Sequence, residues 1–119
     1  MKRVLDIGQC PPDHAAIKRL ITSLGAEVKK AVHLADAMTL LDQEKFDLIC
    51  INRKIDIDYS DGSEILKSIK QSNHKDIPVM IISNYPEAHK EAMKHGAVLG
   101  FGKDQLSLEE TRVLLKQYI

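Results

Sequence analysis

The chain reads as an α/β protein: a three-layer, doubly wound sheet of five parallel strands with helices on both faces, with residues 1–119 forming one domain. Three observations predict this. Strand-like and helix-like segments alternate five times along the sequence. Two of the strand segments, Phe46 to Asn52 and Ile77 to Ser83, are apolar almost throughout, so each needs cover on both faces. The intervening helical segments supply that cover through right-handed crossovers. Size and composition agree, since 119 residues suit a single domain that buries roughly two thirds of its unfolded surface. At 44% hydrophobic and 29% charged residues, the chain has the make-up of a folded domain that needs no staples.

Each element has its own local reason. Arg3 to Ile7 is a first strand, and Pro11-Pro12-Asp13 opens a helix whose Ala16, Ile17, Leu20, Ile21 and Leu24 recur at helical spacing before Gly25 closes it. Glu27 to Val32 is a more polar strand, with Lys29 and Lys30 suited to a sheet edge. A second helix over 34–43 buries Leu34, Ala37, Met38 and Leu41. The third strand, Phe46 to Asn52, delivers one polar side chain, Asn52, at its end. Asp61 with Glu64 predicts a capping box for a helix presenting Ile65, Leu66 and Ile69. Ile77 to Ser83 is the fourth strand, and Pro86 and Gly96 bracket a short helix. A fifth strand runs through Val98 and Leu99 to Phe101, and Ser107 with Glu110 predicts the cap of a last helix.

Several function classes drop out. Seventeen basic against seventeen acidic residues leave no electrostatic footprint for nucleic acid. Cys10 and Cys50 lack disulfide or metal spacing, and no apolar run is long enough for a membrane span or a leader, so a cytoplasmic location is expected. The acidic run from Asp56 to Gly62 fails as a calcium loop, because Lys67 stands where a bidentate Glu belongs. The histidines His14, His33, His74, His89 and His95 are scattered, and no two sit at ligand-pair spacing. In a doubly wound sheet ligands sit beyond the carboxyl ends of the strands, which here are Gly8, Gln9, Asn52, Ser83 and Lys103.

At these positions the chain resembles the receiver domains of two-component response regulators over its whole length. The resemblance rests on Phe46-Asp47-Leu48 before the site position, Asp61-Gly62 at the third helix, Ile77-Pro78-Val79 leading to Ser83, and Gly96-Ala97 followed by Lys103. It implies the flavodoxin-like strand order 2-1-3-4-5. It also implies a strand-three phosphoacceptor aspartate, a Mg²⁺-holding acidic pair after strand one, and a hydroxyl and a lysine ending strands four and five. Carried over, the phosphoacceptor position falls on Asn52, whose amide is no carboxylate nucleophile. The acidic pair falls on Gly8 and Gln9, so no metal is expected. Ser83 and Lys103 are retained. The switch aromatic falls on Gly100, with Phe101 one place on, Asp104 replaces the usual proline, and the loop from Asn52 to Gly62 is longer than the family's.

These departures imply a pseudo-receiver that is not an enzyme, takes no cofactor, and acts in signal transduction by protein–protein interaction. The implied partner is another protein or an attached output or kinase domain, met at 86–95, 98–102 and 108–119, where a homodimer through the fourth and fifth helices could also form. An alternative is a small-anion or nucleotide sensor using Lys103, Ser83, Asn52 and the backbone near Gly8. Lys103 either serves that anion or pairs with Asp56, Asp58 or Asp104. Asp6, inside the first strand, is either a hydrogen-bonded structural carboxylate or a functional one with a raised pKa. Cys10 has no visible base and is read as a spectator.

Overall fold

The computed structural model describes residues 1–119. Strands β1 (Arg3–Ile7), β2 (Glu27–Ala31), β3 (Leu48–Asn52) and β4 (Val79–Ile82) form one parallel sheet in the order β2-β1-β3-β4. Helices α1 (Pro11–Ser23), α2 (Leu34–Gln43), α3 (Gly62–Lys70), α4 (Pro86–Lys94) and α5 (Glu109–Lys116) cover it. The period of two in the strands sorts side chains cleanly between faces. Leu5, Ile7, Ile49, Ile51, Val79 and Ile81 meet α2, α3 and α4, while Val4, Leu48, Cys50, Met80 and Ile82 meet α1 and α5. Side chains buried this completely contribute roughly 1.5–3 kcal/mol each relative to exposure.

The expected fifth strand does not form. Residues 97–101 run beside β4 and make two backbone bonds to it, Val98 N–H to the Val79 carbonyl at 2.8 Å and Ser83 N–H to the Phe101 carbonyl at 3.0 Å. A regular parallel ladder continuing from the first bond would set Ser83 N–H on Gly100, so the segment carries one residue too many. The surplus falls at Leu99-Gly100. There Gly100 lies against the Ile81 carbonyl in a space that a Cβ could not enter. The sheet is therefore four-stranded and edged by an irregular strip, with Phe101 inserted into the α1–α5 core.

Helix starts follow local chemistry, and two differ from expectation. Asp61 caps α3 by accepting the Ser63 N–H at 3.0 Å, while Glu64 turns away to Lys67 at 3.5 Å, so no capping box closes. Helix α5 begins at Glu109 after Leu108, and Ser107 caps nothing. A capping box does occur at α2, where His33 N–H donates to Asp36 at 2.9 Å and Asp36 N–H donates to His33 Nδ1 at 3.4 Å. Gly25 and Gly96 take φ of +91° and +95° just past α1 and α4, the left-handed conformation that ends a helix at low cost. No helix is long and apolar enough to cross a membrane.

Candidate functional site

The carboxyl ends of β1, β3 and β4 bring together most of the residues expected there. Asn52 is the last residue of β3, in register with Ile82 of β4, and its Nδ2 donates to the Gly8 carbonyl at 3.2 Å. That carbonyl also accepts the Asp56 N–H at 2.9 Å. The long loop after β3 thus folds back over the end of β1. Its Ile55 is fully buried and joins the core on the α2–α4 face. Gly8 has φ of +79°, and any Cβ there would collide with the Ile55 side chain, so position 8 has neither the conformation nor the room for an aspartate.

Gln9 is 3% exposed, and neither atom of its side-chain amide has a hydrogen-bond partner in the protein. The donor set at the family's metal position is thus a backbone carbonyl already bonded twice and two neutral amides. It does not suit a hard divalent cation, which needs anionic oxygens. No group of three or more His, Cys, Asp or Glu side chains converges anywhere in the chain.

On the α1 side two contacts escaped the sequence reading. Asp6 is fully buried, and its Oδ2 lies 2.7 Å from His14 Nδ1 on the first turn of α1. Burial raises the Asp6 pKa, opposed by His14, and Asp6 Oδ1 has no partner. Lys103 does not pair with Asp56, Asp58 or Asp104; its Nζ donates to Asp13 at 2.7 Å, one residue from His14 and ninety from itself in sequence. The Lys103 hydrogen bond holds the Asp13 carboxyl below its usual range. A helical i, i+1 pair of Asp13 and His14 pointing at two strand ends was the only signal that could have suggested either contact.

Ser83 is buried, its Oγ accepting the Tyr85 N–H at 3.0 Å and its carbonyl facing His89 Nε2 at 2.7 Å. Gly100 places no side chain near it and instead floors a groove of about 490 Å³ between α4 and the irregular strip. Cys10 is half-buried before α1, while burial pushes the Cys50 thiol well up.

A doubly wound parallel sheet whose strand ends open on a mouth lined by a lysine and a hydroxyl has the architecture in which ligands sit beyond the carboxyl ends of the strands. The chain belongs to the response regulator receiver domain family, whose model matches residues 11–111. Solved structures agree on the fold. The receiver domain of NtrX from Brucella abortus superposes with a TM-score of 0.75 at 21% identity, covering 94% of this chain and 98% of that one. The beryllofluoride-activated NtrC4 receiver domain dimer gives 0.83 at 22% identity over 99% and 96%. TrrA from Thermotoga maritima, solved with Mg²⁺ and beryllofluoride, gives 0.81 at 18% identity over 100% of both chains. Against a longer NtrX chain from Brucella abortus, this chain spans 27% of the length. No curated protein matches the chain.

Proposed function

We propose that this chain is a pseudo-receiver, a signal-transduction domain that works without being phosphorylated and acts by binding another protein or an attached output or kinase domain. The observation that carries the reading is the Asn52 carboxamide at the end of β3, donating to the Gly8 carbonyl at 3.2 Å. An amide at that position cannot attack a phosphodonor to give an acyl phosphate. Two further features support it. Ile55 packs over Gly8 where the acidic pair would stand, and Lys103 already closes on Asp13 at 2.7 Å.

The binding surface proposed is the α4–α5 side, by analogy with the family. Exposed apolar side chains support it: Met93 at 49%, Leu99 at 50% and Val113 at 55% exposure. A second reading, a sensor of a free small anion or nucleotide, is favoured by one observation. Arg53, Lys54 and Lys103 surround the mouth beside Asn52 and Ser83. A ligand-shift melting screen separates the two readings, because a bound small molecule raises stability by mass action.

Incubation with acetyl phosphate and Mg²⁺ tests the first reading. Intact-mass spectrometry should find no added phosphoryl group on the chain or on Asn52→Asp, since the variant still lacks carboxylates at Gly8 and Gln9. Stoichiometric phosphorylation of the native chain would overturn the reading.

A further inference from the structure

The mouth at the ends of β3 and β4 has changed sign. A cavity of about 220 Å³ opens there, lined chiefly by Asn52, Arg53, Lys54, Ser83, Tyr85 and Lys103, with no carboxylate in its wall. Two neutral donors have hydrogens to spare. Asn52 Nδ2 uses one of its two on Gly8, and Ser83 Oγ accepts from Tyr85 without donating.

The charges can be followed individually. Lys103 is paired with Asp13 at 2.7 Å and Lys54 faces Asp61 at 3.9 Å. Arg53 forms no ion pair and lies over the Tyr85 ring, 5.1 Å from its centroid. Arg53 and Tyr85 also line an adjoining groove with Asp61, Glu87 and Glu91, where Glu91 is held by Lys94 at 3.6 Å and His95 at 3.4 Å and Glu87 forms no ion pair. Of the three cations in the wall of the mouth, Lys103 and Lys54 have carboxylate partners, and Arg53 is the one without an ion pair.

We propose that this mouth receives a single Asp or Glu carboxylate from an exposed acidic segment of the partner protein, with Arg53 as the principal contact. The inference rests on the protein-binding reading above and names the chemistry of the partner. One cation without an ion-pair partner matches a monoanion better than a phosphate dianion, and a planar guanidinium suits the two oxygens of a carboxylate. Tyr85, 58% exposed beside the mouth, offers apolar contact to residues flanking the carboxylate. A free inorganic anion gains nothing from that ring. Tyr and Arg are also among the residues enriched at the hot spots of protein interfaces.

Amide shifts of the full chain should be followed during titration with acetyl-Leu-Glu-Leu-amide, its glutamine counterpart and inorganic phosphate. The glutamate peptide should give saturable shifts at Asn52, Arg53, Lys54, Ser83 and Tyr85. Binding should weaken about tenfold with the glutamine peptide, as expected for one lost charge-assisted contact. Arg53→Gln should abolish the shifts while leaving the rest of the spectrum in place. Equal behaviour of the two peptides, or no saturable shift from either, overturns the proposal, as does phosphate saturating the same amides more tightly than the glutamate peptide. Any of these outcomes in a chain that acetyl phosphate leaves unmodified removes the carboxylate site alone; a chain that acetyl phosphate modifies removes the reading beneath it.

Discussion

The end of β1 and the α4–α5 side are the two places where a receiver domain does its work, and in this chain they have opposite physical characters. At the first, Ile55 is fully buried against Gly8, whose carbonyl takes two hydrogen bonds, so this position is packed like core. At the second, Leu99 and Gly100 sit between two open grooves of about 490 and 470 Å³, flanked by half-exposed apolar side chains. Buried apolar contact closes over the end of β1, while the α4–α5 side keeps exposed apolar side chains.

Substitution should expose this contrast as a difference in stability. Ile55→Ala should cost about 2–5 kcal/mol, the usual range for a fully buried aliphatic side chain whose site collapses only in part. Leu99→Ser and Val113→Ser, on the open side, should stay within about 0.5 kcal/mol of the parent. Urea unfolding of the three variants measures both. If Ile55→Ala unfolds at the parent's urea midpoint, the loop is not packed over Gly8 and the contrast collapses.

A smaller effect should appear with pH, where two carboxylates on either side of His14 titrate in opposite senses. Asp6 is raised by burial, so above the ordinary carboxylate range the folded state holds a proton that the unfolded chain releases. Its contribution is complete below the unfolded pKa and declines as pH rises through the folded value. Asp13 is lowered by the Lys103 hydrogen bond. Its contribution is complete above the unfolded value and is lost as pH falls through the depressed folded one. It should be modest, because the Asp13 side chain is 37% exposed and solvent screens the pair. Asp6→Asn should therefore flatten the decline of stability as pH rises above the ordinary carboxylate range, and Lys103→Met should flatten the loss on the acid side. Urea midpoints across the pH range give both slopes, and an unchanged slope above the carboxylate range in Asp6→Asn would show that Asp6 does not carry it.

Much of this molecule was legible as sequence because local chemistry governed it. The apolar runs of β3 and β4, the prolines opening α1 and α4, and the glycines after α1 and α4 all act within a few residues of themselves. The failures share a different cause. Val98 to Phe101 has the composition of a strand, but one surplus residue and the approach of Gly100 to the Ile81 carbonyl are properties of the packed sheet edge. Asp56, Asp58 and Asp104 were the natural partners for Lys103 by proximity to the mouth, yet Asp13 reaches it from α1. Ile55 looked like one residue of a polar loop, and only the fold-back onto Gly8 makes it core. Positions Gly8, Gln9 and Asn52 could be assigned from the family's order of motifs, whereas their mutual contacts depend on strand register.

The smallest expected effect is the sharpest test of the contrast between the two regions. In a switching receiver a new dianion draws in the strand-four hydroxyl and the strand-five lysine, and a ligand shifts a two-state equilibrium only if it binds the states differently. Here Lys103 is held by Asp13 at 2.7 Å and is not free to follow an anion at Asn52, while Ser83 Oγ, which still has a hydrogen to donate, is already positioned by the Tyr85 N–H at 3.0 Å. Gly100 has no ring to move, and Phe101 is locked in the opposite core. Mg²⁺ with beryllofluoride, the acyl-phosphate mimic present with NtrC4 and TrrA, should therefore leave amide shifts along 86–119 unchanged in this chain. Small shifts confined to Asn52, Arg53 and Lys54 would still fit, since they mark an anion at the mouth with no transmission. Widespread shifts through α4 and α5 would mean that the two regions are coupled after all, with Lys103 leaving Asp13 as the event that links them.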